Sequence, residues 1–79
     1  MYGNQSDKTY RIVNAKQIAS QVNYYVNEFE NGKDTGRGSV YGKTGTLQNW
    51  NDFSVNVKHG VWFTQYGLHG EVINSWHER

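Results

Sequence analysis

The sequence predicts an α+β fold, one N-terminal amphipathic helix packed on a small antiparallel sheet. Three patterns predict it. Ala15, Ile18, Ala19, Val22, Tyr25, Val26 and Phe29 recur at helical spacing, which at 100° per residue confines them to about a 120° arc. Phe53, Val55 and Val57 alternate with Asp52, Ser54, Asn56 and Lys58, the period of a strand with one buried and one wet face. Glycine-containing turns then divide the C-terminal half into short, β-rich runs.

Taken in order, Lys8–Val13 is rich in β-formers and reads as a first strand. Asn14 is an N-cap, with Gln17 three residues later completing a capping-box pattern. The helix then runs from about residue 15 to 31, with Asn31-Gly32 as its left-handed stop. Gly36–Thr46 reads as a loop leading into a twisted, glycine-interrupted strand around Val40 and Tyr41. After the alternating strand at 53–57, His59-Gly60 is a two-residue hairpin turn, Val61–Tyr66 the returning strand, Gly67–Gly70 a second turn and Glu71–Trp76 the last strand. The expected order is β-α-β-β-β-β with a meander-like C-terminal half. Residues 1–7 are expected to be a flexible lead-in and residues 8–79 one α+β binding domain.

Composition narrows the function classes. A chain of 79 residues buries only about 63% of its unfolded surface, so its core is small. The net charge of +1, spread evenly along the chain, matches neither a polyanion-binding tail nor an acidic nucleic-acid mimic. Without cysteine there is no disulfide frame, thiolate metal site or cysteine nucleophile, and a cytoplasmic, reducing location is expected. The longest strongly apolar run is three residues, for example Val61-Trp62-Phe63, far short of the roughly 20 that cross a bilayer. The first seven residues lack the basic start and apolar stretch of a signal peptide.

No enzyme motif emerges. Gly42-Lys43-Thr44 ends like a phosphate loop, but the first glycine of that pattern would have to stand at Arg37. His59, His69 and His77 are dispersed, so no metal site is expected, and no nucleophile with an identifiable base implies a cofactor or catalysis.

The surfaces point to binding. On the expected helix, Tyr24 lies opposite the apolar arc, flanked by Gln17, Ser20, Asn23 and Asn27. A ring among small amides and hydroxyls is the chemistry of recognition surfaces. In the C-terminal hairpin, pairing Lys58 with Val61 sets Val57 opposite Trp62 and Val55 opposite Thr64. Trp62 and Tyr66 then join the apolar face and Phe63 the wet one. Either way Trp62 or Phe63 faces outward, because adjacent strand residues point to opposite sides.

The primary expectation is a non-enzymatic protein-binding module, an inhibitor or antagonist that docks Ser20, Asn23, Tyr24, Asn27, Trp62 and Phe63 on a larger protein or ribonucleoprotein. Small phage-encoded antagonists of bacterial defence, anti-CRISPR proteins among them, often have this size and α+β build, although no motif here establishes membership. The alternative is a nucleic-acid-binding sheet face, with Arg37, Lys43 and Lys58 meeting phosphates and Tyr41, Trp62 or Phe63 stacking on bases. No membrane partner is expected. A homodimer through an unprotected edge strand is compatible with the composition.

Overall fold

The computed structural model describes residues 7–79. It contains seven strands, β1 (Lys8–Ile18), β2 (Gln21–Glu30), β3 (Lys33–Thr44), β4 (Thr46–Trp50), β5 (Val55–His59), β6 (Trp62–Tyr66) and β7 (Val72–His77). They form two antiparallel sheets, ordered β1-β2-β3 and β4-β5-β6-β7. The expected α+β class is therefore overturned: the described residues are all-β, and the segment read as a helix forms the end of β1, a turn and the whole of β2. Apart from Asp7, the expected lead-in lies outside the described residues.

The physical reason is a pattern with two solutions. Val22, Tyr24 and Val26 also alternate with Asn23, Tyr25 and Asn27, and β-branched and aromatic residues favour a pleated surface over a helix. Tertiary burial selects the second solution, with Val22, Tyr24 and Val26 buried against the other sheet. Asn31-Gly32 does not stop a helix. It is a two-residue hairpin turn between Glu30 and Lys33, and its positive φ values of 52° and 83° match the primed turn that Asn-Gly favours. Asn14 lies within β1 opposite Tyr25 rather than at a cap. The β1–β2 turn uses Ala19-Ser20, with Ala19 at φ 54°.

β3 and β4 are nearly one strand that changes sheets at Gly45. The φ there is 136°, and a Cβ would stand 2.6 Å from both Lys58 O and Val57 Cγ1. Only glycine fits that crossing. Gln17 fastens it: its Nε2 donates to Gly45 O at 2.9 Å and Ala19 O at 2.9 Å, and its Oε1 accepts from Leu47 N at 2.7 Å.

The core lies between the sheets and consists of Ile12, Ala15, Val22, Tyr24, Val26, Val55 and Val57, flanked by Tyr41, Leu47, Tyr66 and Leu68. The molecule extends 55 × 23 × 14 Å with a radius of gyration of 14.7 Å, against about 12 Å for a compact domain of this length. Much of the sheet surface therefore has no core behind it. Among the described residues no helix is long and apolar enough to cross a membrane.

Candidate binding groove

The inward side of β3 organises the site. Because Tyr41 pairs with buried Tyr24, Ser39 with Val26 and Lys43 with Val22, the odd-numbered residues Arg37, Ser39, Tyr41 and Lys43 share the inner face. The β6–β7 turn docks on the middle of this row. Tyr24 Oη donates to Gly67 O at 2.8 Å and Lys43 Nζ to Gly70 O at 2.8 Å. Gly70 lies so close to Tyr41 that a Cβ would approach the ring to 2.8 Å. Burial pushes the Tyr24 hydroxyl well above its ordinary pKa, so it remains a donor. The turn is closed internally by Gly67 N–H to Glu71 O and His69 N–H to Glu71 Oε1, each 2.8 Å. The His69 amide leads the interactions that hold the Glu71 carboxyl below the usual range.

A hollow lies on each side of this docked turn. The smaller, about 260 Å³, is lined by Tyr10, Glu28, Arg37, Tyr41 and His69 among others. Glu28 is buried yet keeps both oxygens bonded, to Tyr10 Oη at 3.0 Å and Thr35 Oγ1 at 2.8 Å. The Thr35 bond, then the Tyr10 bond, hold its carboxyl below the usual range. The larger hollow is an open groove of about 430 Å³ between β3 and the inner face of the second sheet, lined by Lys43, His59, Trp62, Thr64, Tyr66 and Ser75 among others. Lys43 Nζ lies 4.6 Å from the Tyr66 ring centroid. Trp62 is 48% exposed and meets His77 edge-on at 5.0 Å. The groove thus offers one cation, two rings and several hydroxyls, a mixture that orients a ligand while burying apolar surface.

The reverse face of the same sheet carries a second arrangement. Lys58 Nζ lies 5.6 Å from the Phe63 centroid, Phe63 stacks on Trp76 at 5.5 Å and 11°, and Lys58 pairs with Glu78 at 3.2 Å. Beside this row, Asn49, Asn56, Gln65 and Asn74 stand opposite one another across all four strands. Asn56 donates to Asn49 at 2.7 Å, and its own Oδ1 is buried without a partner.

The fold redistributes the residues expected to bind. Tyr24 is fully buried, not outward, because consecutive strand residues face opposite sides. Asn23 and Asn27 do share the outer face of the first sheet, where Gln21 donates to Asn23 and Asn27 to Asp34, both at 2.8 Å. Ser20 is exposed in the β1–β2 turn. The hairpin closes on Gly60-Val61, pairing His59 with Trp62, Val57 with Thr64 and Val55 with Tyr66. That is two residues from the expected register, and because the side-chain period is two, the faces are preserved. Trp62 and Tyr66 lie on the valine side and Phe63 on the other. Arg37 and Tyr41 line the smaller hollow, Lys43 and Trp62 the groove, and Lys58 and Phe63 the reverse face, so the four residues Arg37, Tyr41, Lys43 and Lys58 do not form one surface.

Sequence reasoning missed His59, Ser75 and Glu28, and assigned Gln17 to a helix capping box rather than to the strand junction it fastens. Glu28 continues the Val22, Tyr24, Val26 alternation, a period-two signal that could have found it. Nothing local marks Gln17, whose partners lie across the turn and at the strand junction. Among the described residues, no group of three or more His, Cys, Asp or Glu side chains could hold a metal ion. Comparison with family models, curated proteins and solved structures finds no match for this chain.

Proposed function

We propose that the protein is a non-enzymatic protein-binding module that receives a segment of a larger partner in the groove between β3 and the inner face of the second sheet. The observation that carries this reading is the convergence of Lys43, Trp62 and Tyr66 on one open hollow of about 430 Å³. An exposed tryptophan beside a half-buried cation and hydroxyls is the composition of an interface anchor. The antagonist reading rests on this groove, with the buried Tyr24 serving as its support. The absence of cysteine supports a reducing, cytoplasmic setting.

A second reading, single-stranded nucleic acid, draws on the same pair, with Lys43 meeting a phosphate and Trp62 stacking on a base. Charge placement favours protein. Lys58 is paired with Glu78 on the reverse face, Arg11 and Lys16 lie over Phe29 and Tyr25 in the first sheet, and Lys43 is tied to Gly70 O. Among the described residues no basic stripe tracks the groove, whose lining includes Lys43 alone of the lysines and arginines, and phosphate neutralisation dominates nucleic-acid affinity.

Affinity capture with the wild type, Trp62→Ala, Lys43→Ala and Asn23→Ala tests the assignment, each with and without nuclease. A protein partner retained by wild type and Asn23→Ala but lost by the two groove variants is expected. Equal retention by all four folded proteins overturns the groove, and capture erased by nuclease transfers the site to nucleic acid.

A further inference from the structure

Strand order identifies four sheet edges, β1, β3, β4 and β7, and they are not equally protected. β1 carries Lys8, Arg11 and Lys16 and a register break between Ile12 and Asn14. β3 carries Lys33, Arg37 and Lys43, and β4 is five residues long with its own break. Charges, bulges and brevity are the means by which edges avoid pairing. β7 reads Val-Ile-Asn-Ser-Trp-His, with no Lys, Arg, Asp, Glu or Pro. Every residue of it is exposed, including Val72 at 60% and Ile73 at 52%. One break, at the Gln65/Tyr66 level, disturbs only its N-terminal end.

We propose that β7 is a homodimerisation edge, pairing antiparallel with β7 of a second copy about a twofold axis at Trp76. The available hydrogen bonds follow from one contact. Glu78 N–H donates to Val61 O at 2.7 Å, so the alternation of an antiparallel pair directs Trp76 and Asn74 toward β6 and leaves the main-chain groups of Ser75 and His77 facing the open side. With Trp76 on the axis, Ser75 meets His77 of the partner subunit, and the reciprocal pair forms by symmetry. The Ser75 N–H, at present held by Asn74 Oδ1 at 2.9 Å, exchanges that local bond for one across the interface.

The side chains fit the same register. On the reverse face the row Lys58, Phe63, Trp76 ends with a ring at the molecular boundary. Apposing two copies joins the rows into one continuous stack, the aromatic cross-strand pairing that stabilises sheets. Charge is compatible, because each Glu78 arrives paired with Lys58 at 3.2 Å and stands opposite Asn74 of the partner subunit. On the inner face Ser75 lines the groove, and pairing sets His77 of the partner subunit beside it. The groove wall is thereby extended by the second copy. This inference concerns assembly and stands whether the groove takes protein or nucleic acid.

Sedimentation equilibrium over a wide concentration range is expected to show a mass rising from 9.1 kDa to twice that value. Ser75→Pro removes an N–H that faces the open edge while leaving the β6 ladder intact, and Trp76→Lys places a charge on the axis. Each is expected to stay folded and monomeric. Hydrogen exchange on the wild type gives a readout free of variants, with the Ser75 and His77 amides gaining protection as concentration rises and those of β4 unchanged. A wild type that remains monomeric, a dimer that survives in either folded variant, or concentration-independent exchange at Ser75 and His77 overturns the proposal.

Discussion

The two sheets share an antiparallel pattern and a supply of aromatic residues, yet they use them differently. The first sheet contributes five of the seven core residues, Ile12, Ala15, Val22, Tyr24 and Val26, while the second contributes Val55 and Val57. On the outer face of the first sheet the rings are covered, Arg11 lying 4.1 Å from the Phe29 centroid and Lys16 5.4 Å from that of Tyr25. In the second sheet Trp62 and Trp76 remain 48% and 39% exposed. A chain this short has apolar material for one core only, and that core sits mainly on β1 and β2. Most of the exposed aromatic surface lies on the second sheet, at Trp50 of β4, Phe53 in the β4–β5 loop, Trp62 of β6 and Trp76 of β7. Most of the core and most of the exposed aromatic surface are thus separated by sheet, with the docked β6–β7 turn as their link.

The most severe way to break that division is to remove the link from below. Tyr24 is fully buried and its hydroxyl holds Gly67 O. Tyr24→Ala is expected to cost about 3–5 kcal/mol, against about 4–12 kcal/mol of total stability for a domain of this length. The measurement is a urea midpoint, and a loss below about 1 kcal/mol would show that the core does not depend on this ring. Tyr24→Phe keeps the packing and leaves Gly67 O with only the longer bond from Gly70 N–H at 3.3 Å. It is expected to cost about 1–2 kcal/mol and to speed amide exchange at Gly67 and Gly70 more than in β1 or β2.

Next in size is the junction between the sheets. Gly45→Ala must accommodate a methyl 2.6 Å from Lys58 O at a φ of 136°. Combined backbone strain and crowding are expected to cost about 2–4 kcal/mol. Because the clash is with β5, chemical-shift changes are expected to concentrate in β4 and β5 rather than in the first sheet. Changes spread equally over β1–β3 would mean that the sheets are not separable at this point.

Acid sharpens the comparison from the other side. Glu28 and Asp34 in the first sheet and Glu71 at the docked turn all have carboxyl pKa values lowered by hydrogen bonds, led by Thr35, the Gly36 amide and the His69 amide respectively. A lowered folded-state pKa contributes stability that is present above the unfolded value, about 4 to 4.5. That stability is lost as pH falls through the folded value. Urea midpoints are expected to be level above that range and to decline below it. Thr35→Val removes the leading interaction at Glu28 and is expected to make the decline shallower. An unchanged acid limb would show that Glu28 is not a source of the pH dependence.

Legibility in the sequence divides along the same line. The second sheet was readable in part: Val55–Lys58 alternates and the order strand, turn, strand, turn, strand was correct from residue 55 onward, but no strand was expected at Thr46–Trp50, which forms β4. The faces of Val55, Val57, Trp62, Phe63 and Tyr66 were right even with the turn displaced by one residue. Phe53, expected on the buried face, is instead 64% exposed in the β4–β5 loop, and Ser54, expected on the wet face, is buried. The first sheet was not readable, because the Tyr24-Tyr25 doublet lets residues 15–29 satisfy both a helical and an alternating pattern, and the choice depends on burial against residues 30 positions away. Asn31-Gly32 carried the better local clue, being a stronger hairpin signal than a helix stop when β-formers flank it. In the site, Trp62 and Lys43 could be singled out individually, but their convergence depends on the sheet change at Gly45, which composition alone shows only as one glycine among several.

The β1–β2 turn had no such signal, and it yields the smallest prediction, of opposite sign. Ala19 holds φ 54°, a left-handed conformation that costs an L-residue roughly 1–2 kcal/mol. Its carbonyl accepts from Gln17 Nε2 at 2.9 Å, so the strain is maintained by the same side chain that fastens the sheet change. Glycine relieves the strain but adds unfolded-state entropy of about 0.4–1 kcal/mol. Ala19→Gly is therefore expected to stabilise by a net of about 0.5–1 kcal/mol. Asn31 has nearly the same angle, φ 52°, but asparagine tolerates that region, so Asn31→Gly is expected to gain nothing. Denaturant midpoints for the two variants separate turn strain from a general effect of glycine. If Ala19→Gly is no more stable than wild type, the left-handed turn is not strained, and Gln17 has no strain there to maintain.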